Sequence, residues 1–277
     1  ALSCLCIGLT KSLNEFIMNW KEICRENDID DSFLRLFAPR DGITLLNKEQ
    51  FRLAQERISQ VKMGFELLPL LTDTEDSYLL IYTTGFLKGK VVITDLEATA
   101  FIPSFKSIQS FLEVYFRNTD ATTLAYIDWF CDYDIDMPSD EPEVLRECWK
   151  FIKADNFVSE AQKVMICCMA IYLTPLEQRD SLFYFLQSPF IDDESETTET
   201  IVWEAINSFT GDNPYPSAKP VIAALFEAEK FNDYPYKDII FDGEFKEKGF
   251  KVFWRENQFW LVILLLSLLL FISRFFW

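Results

Sequence analysis

Tight turns are the scarce resource in this sequence: it has 27 Phe and only 8 Gly among 277 residues. Glycine is the residue that enters the left-handed backbone region without steric cost. Its scarcity leaves most turns to Asn, Asp, Ser and Pro. Phe supplies large rigid side chains for burial, and 49% hydrophobic content is enough to fill one large core or two ordinary ones. A helix-rich, densely packed molecule follows from these two counts.

The sequence contains no His, which removes the usual general base, the usual proton shuttle and the commonest metal ligand together. The seven Cys (Cys4, Cys6, Cys24, Cys131, Cys148, Cys167 and Cys168) include no C-x-x-C pair. Their odd number points to reduced thiols in a cytosol-like compartment. Cys167 and Cys168 sit inside the apolar run 164–173 and read as small core residues. Cys4 and Cys6 could carry reversible acylation. No Gly-rich phosphate loop is present, since 84–90 lacks both the Ser/Thr and the following helix. The sequence therefore reads as a non-enzyme with no cofactor.

The net charge of −18 is unevenly shared. Residues 1–117 carry net −3, 118–243 net −17 and 244–277 net +2. An acidic middle repels nucleic acid and anionic lipid, and favours a basic protein partner. Membrane contact then calls for something stronger than adsorption.

The run 259–272 is apolar throughout except for Ser267. Extended to Trp277 it reaches ~28 Å at 1.5 Å per residue, close to a hydrocarbon core of ~30 Å. Phe259, Leu264, Leu268 and Ile272 would face lipid. Trp254, Trp260 and Trp277 suit the two headgroup levels, and Arg274 can snorkel. Lys246, Lys248, Lys251 and Arg255 precede the run, which places the bulk of the chain on the cytosol-like, reducing side. The expectation is a single-pass, tail-anchored membrane protein, with 244–257 as basic juxtamembrane linker and 258–277 as transmembrane helix. The stretch 1–9 is too short to span and has no basic leader.

In the N-terminal part, helical spacing appears at 13–25, 33–37 and 48–61, with a turn at Asp41-Gly42. Short extended runs follow at 66–71, 78–83 and 89–94, and helical spacing returns at 104–116. The order of Asp41-Gly42, Leu68-Pro-Leu-Leu, Asp76-Ser-Tyr-Leu-Leu-Ile, Lys88-Gly-Lys-Val-Val and Ser107-Ile-Gln-Ser-Phe-Leu-Glu-Val resembles the SUKH domain over roughly residues 10–117. That family often has a Gly-rich turn where this chain has Thr72-Asp-Thr-Glu-Asp-Ser77. The resemblance implies a non-catalytic α+β binding module, of the kind found in immunity proteins and regulatory scaffolds.

From 123 to 231 the pattern is helical: 124–130, 143–152, 159–173, 176–186, 199–209 and 218–231. Ser159-x-x-Gln162 and Thr174-Pro175-x-Glu177 are helix starts. The expected fold class is thus an α+β N-terminal domain (1–117) with a small antiparallel sheet, an acidic all-α region (118–243, bundle or irregular α-solenoid) and one C-terminal transmembrane helix.

Two acidic stretches invite chemistry. Asp132, Asp134, Asp136, Asp140 and Glu143 match the oxygen spacing of an EF-hand calcium loop. Met137 stands where that loop needs Gly, however, and Pro138 and Pro142 stiffen it, so a solvated linker is the plainer expectation. Asp192, Asp193, Glu194 and Glu196 form a candidate partner-binding patch, or a loop favouring the next helix N-terminus. The function expected from the whole is a tail-anchored protein-interaction module. The alternative is an accessory subunit packing among membrane-complex helices.

Overall fold

The computed structural model describes residues 19–37, 39, 42–187, 190–193, 195–210 and 214–228. The chain divides between Pro175 and Leu176 into two compact units, so the expected boundary at 117/118 falls inside the first.

The first unit opens with two short helices, α1 (Trp20–Glu26) and α2 (Ser32–Leu36). Helix α3 (Lys48–Gln60) starts at a complete capping box. The Asn47 side chain accepts from the Glu49 and Gln50 amides, and the Gln50 side chain accepts from the Asn47 amide. Four antiparallel strands then run in simple order: β1 (Thr44–Leu45), β2 (Leu67–Thr72), β3 (Ser77–Tyr82) and β4 (Val91–Asp95). The sequence pattern predicts the last three; β1 is too short to leave a period. The β2–β3 register shifts between Pro69 and Leu71, at the residue that has no N–H to give the ladder.

The sheet is buried on both faces, which explains why β2 and β3 read as nearly continuous apolar runs and do not alternate. Leu68, Leu79, Ile81, Val91 and Ile93 share one core with Trp20, Phe33, Phe37, Phe111, Tyr115, Leu124 and Ile127. On the opposite face Leu80 pairs with Val92, and the buried Tyr82 hydroxyl donates to the Phe101 carbonyl at 2.5 Å. Helix α4 (Ile108–Arg117) and the single-turn α5 (Leu124–Asp128) supply the first of these cores. Helices α6 (Pro142–Ala154) and α7 (Glu160–Leu173) pack against each other further along the unit. Helix α7 is buried almost all round from Val164 on, Cys167 and Cys168 included, as the apolar run 164–173 requires.

Asp takes the place of the missing glycines. Asp28, Asp76 and Asp155 adopt φ of 54°, 58° and 47°, a region that Asp tolerates better than most residues. Asp76 serves the β2–β3 turn. There the Asp73 carboxylate accepts from the Glu75 and Ser77 amides at 2.9 Å each, and from the Leu124 amide at 2.7 Å. Gly is kept where crowding forbids a side chain: a Cβ at Gly42 would lie 2.3 Å from the Thr122 carbonyl oxygen.

The second unit contains a 3₁₀ run (Leu176–Leu186), α8 (Glu196–Thr210) and α9 (Lys219–Glu227). Phe183 stacks on Phe209 at 5.0 Å, and Tyr215 packs against both while its hydroxyl donates to Asp180. The expected helix at 176–186 is therefore a tighter 3₁₀ coil.

The expected fold class and localisation need correction. No helix among the described residues is long and apolar enough to cross a membrane, since the longest, α8, has 15 residues. A single-pass, tail-anchored protein is not supported. The architecture that stands is a four-stranded antiparallel sheet with helices, followed by helices. Trp254, Arg255, Phe259, Trp260, Leu264, Leu268, Ile272, Arg274 and Trp277, on which the membrane expectation was placed, lie outside the described residues, as do Cys4 and Cys6.

Candidate functional site

Helix α5 is one turn long, and its spacing sorts its side chains cleanly. Thr123 caps it by accepting from the Tyr126 amide, and Asp73 holds the Leu124 amide. Leu124 and Ile127, three apart, point into the core and are fully buried. Tyr126, Trp129 and Phe130 are spaced i, i+3, i+4 and therefore share the other face. They are 40%, 79% and 45% exposed. Their rings contact one another, Tyr126 to Trp129 at 5.4 Å and Tyr126 to Phe130 at 5.7 Å. An indole exposed to that degree, joined to two more rings, is a contiguous apolar patch of the kind that marks an interaction surface.

The segment that carries this patch is strongly acidic in sequence. Between Arg117 and Arg146 the chain carries eight carboxylates and no Lys or Arg. The structure gives those carboxylates different tasks. Asp132 is a brace: one oxygen accepts from the Lys106 amide at 2.8 Å and from the Ser110 hydroxyl, tying the segment to the start of α4. Its own backbone is pinned by the Asp132 amide donating to Ser104 and by the Ser139 hydroxyl donating to the Asp132 carbonyl. Asp134 accepts from the Asp136 amide at 2.8 Å, a local turn. Asp140 is exposed, and Glu143 pairs with Arg146 on the surface of α6. The five residues with EF-hand spacing are thus not gathered around one point, and no cluster of three or more Asp, Glu, Cys or His side chains among the described residues could hold a metal.

Glu141 closes the segment from beneath. It forms an ion pair with Lys90, whose side chain is 5% exposed, and it accepts from the Tyr133 hydroxyl at 2.7 Å. The Lys90 ammonium also lies 5.5 Å above the Tyr133 ring. Burial first, and then the bond to Glu141, push the Tyr133 phenol well above its ordinary range, so it remains a neutral donor. Asp128, on the inner side of α5, is held above the ordinary carboxylate range by burial, against a hydrogen bond with Ser104. Its Oδ1 is shielded and has no hydrogen-bond partner.

The second acidic stretch is mainly structural. Asp193 accepts from the Ser195 amide at 3.1 Å, the Ser195 hydroxyl at 3.0 Å and the Thr198 hydroxyl at 2.8 Å, so it organises the start of α8. Asp192 and Glu196 are exposed, and Glu194 lies outside the described residues.

The sequence pattern over 124–130 reads as helical and does not by itself single out the aromatic face. The signal was present in Leu124-x-x-Ile127 interleaved with Tyr126-x-x-Trp129-Phe130, two apolar stripes on a helix with room to bury only one. Comparison of the chain with protein-family models, with curated proteins and with solved structures finds no match. The resemblance to the SUKH domain, and the immunity role it implies, thus gain no relative in support.

Proposed function

We propose that the chain is a non-catalytic protein-binding module whose first unit recognises a basic protein segment through Tyr126, Trp129 and Phe130. The observation that carries the proposal is the 79% exposure of Trp129 inside a ring cluster on a segment that holds eight carboxylates and no Lys or Arg between Arg117 and Arg146. Aromatic faces and carboxylates both favour cations, by cation–π attraction and by Coulomb attraction. A Lys- or Arg-bearing segment with some apolar character satisfies both. A second copy of the same acidic face would be repelled, and so would the phosphates of a nucleic acid. The α+β setting suits a binding module of the sort the SUKH resemblance implies.

The test is selection of peptides from a random library against the 277-residue chain. Enriched peptides are expected to combine Lys or Arg with aromatic or aliphatic residues. They should bind Trp129→Ala at least tenfold more weakly and lose affinity as salt rises. Peptides that bind wild type and Trp129→Ala equally, or whose binding ignores salt, overturn the proposal.

A further inference from the structure

Strand β4 and the loops joining β4 to α4 and α5 to α6 line a half-open cavity of about 250 Å³. Val92, Ile93, Ile102 and Pro103 supply apolar wall, and Ser104 and Asp128 supply polar groups. Two observations indicate what it takes. One is chemical: the carboxyl of Asp128 lines the cavity, is hydrogen-bonded to Ser104, and has an Oδ1 with no partner. A buried acceptor left open is costly and calls for a donor. The other is electrostatic: no Lys or Arg lines the cavity, the Lys90 ammonium 5.5 Å from the lining Tyr133 ring is paired with Glu141, and Asp132 and Asp134 follow on the same segment, so the balance of local charge favours a cation.

We infer that this cavity binds a primary alkylammonium group, the side-chain chemistry of lysine, with its aliphatic stem along the apolar wall and its ammonium on Asp128. One open acceptor matches the compact ammonium better than the planar guanidinium of arginine, which seeks two parallel acceptors. Oδ1 itself is shielded, so the incoming donor meets the carboxyl at the edge that lines the cavity. The bound ammonium and Asp128 form an ion pair flanked by the Ser104 hydrogen bond. The ammonium can come from the basic partner proposed above or from a free amine. Only the first source rests on the proposed function.

Titration of the 277-residue chain with n-butylammonium chloride, followed by methyl NMR, tests the site. Saturable shifts at Val92, Ile93 and Ile102 are expected, and these should be absent with n-butanol or butyrate, which share the stem without the positive charge. Asp128→Asn should weaken binding at least tenfold, and Ala100→Ile, which fills the cavity from its wall, should abolish it. Equal saturation by n-butanol, or affinity within twofold of wild type in Asp128→Asn, overturns the inference. If Asp128→Asn does not fold, the Ala100→Ile result and the butanol comparison still decide. Acetylating the lysines of a selected peptide separates the sources. A tenfold loss on wild type but none on Asp128→Asn assigns the ammonium to the partner. No loss, with butylammonium still bound, assigns it to a free amine. Trp129→Ala should leave butylammonium binding unchanged. If that variant keeps peptide affinity, the proposed function falls while the cavity stands.

Discussion

The first unit holds two aromatic trios of nearly the same internal geometry and opposite surroundings. Phe65, Phe86 and Phe151 meet at 5.3 to 6.2 Å, from the approach to β2, the β3–β4 connection and α6, and each ring is half-buried between those elements. Tyr126, Trp129 and Phe130 meet at 5.4 and 5.7 Å, all from one turn, and lie outside. The first trio is tertiary: it joins segments far apart in sequence, so its rings stabilise the fold. Gly85 is shaped by it, since a Cβ there would sit 2.4 Å from the Phe65 ring. The second trio is local and touches little else, so it contributes little to folding and remains available for a partner. Aromatic clustering alone thus does not separate core from interface; the sequence distance spanned by the cluster does.

The largest effect should come from the buried ion pair of the segment that follows the open trio. Glu141→Ala leaves the buried Lys90 ammonium without its carboxylate and should cost about 3–5 kcal/mol in urea denaturation. The double change Lys90→Met with Glu141→Leu should recover most of that. Equal losses in the two variants would mean that the pair is not acting as a buried ion pair.

Next in size, Phe86→Ala should cost about 2–3 kcal/mol, somewhat below a fully buried Phe because its ring is only half covered. A cost below about 1 kcal/mol would erase the distinction between the trios.

Asp128→Asn should alter the pH dependence of stability. The folded-state carboxyl titrates above its unfolded value, so wild type binds more protons folded than unfolded in that window. Its contribution is complete below the ordinary carboxylate range of about 4 and is lost as pH rises through the raised folded value. The asparagine variant does not titrate, so it should gain on wild type as pH rises from about 4 toward neutrality; parallel curves would remove burial as the dominant influence on Asp128.

Smallest of all, Trp129→Ala should change stability by no more than about 0.5 kcal/mol, because the indole is mostly in water. A drop comparable to that of Phe86→Ala would show that the open trio is structural after all.

Much of the architecture is legible along the chain. Helix starts at Asn47, Ser107 and Ser159 are written in local hydrogen-bonding chemistry, and the structure shows all three side chains accepting from the first turn. The β2–β3 hairpin is legible in two apolar runs flanking an acidic turn. Strand β1 is not, because two residues carry no period and its pairing with Leu71 and Thr72 is purely non-local. The EF-hand spacing of 132–143 is a linear coincidence. Once folded, Asp132 turns toward α4, Glu141 lies on Lys90 beneath the loop, and Glu143 sits on a helix surface. One-dimensional spacing cannot specify which way each carboxylate faces.

By itself the sequence determined that glycine-poor turns would fall to Asn, Asp, Ser and Pro, that 66–71 and 78–83 would be extended runs, and that charge would concentrate after residue 117. These are properties of short windows, set by backbone sterics and by the cost of exposing apolar side chains. Only the tertiary structure decided which of two apolar stripes on α5 faces the core. Leu124 and Ile127 join the core beneath the sheet, and Asp73, 51 residues earlier, holds the Leu124 amide in that arrangement, with Trp129 left in water.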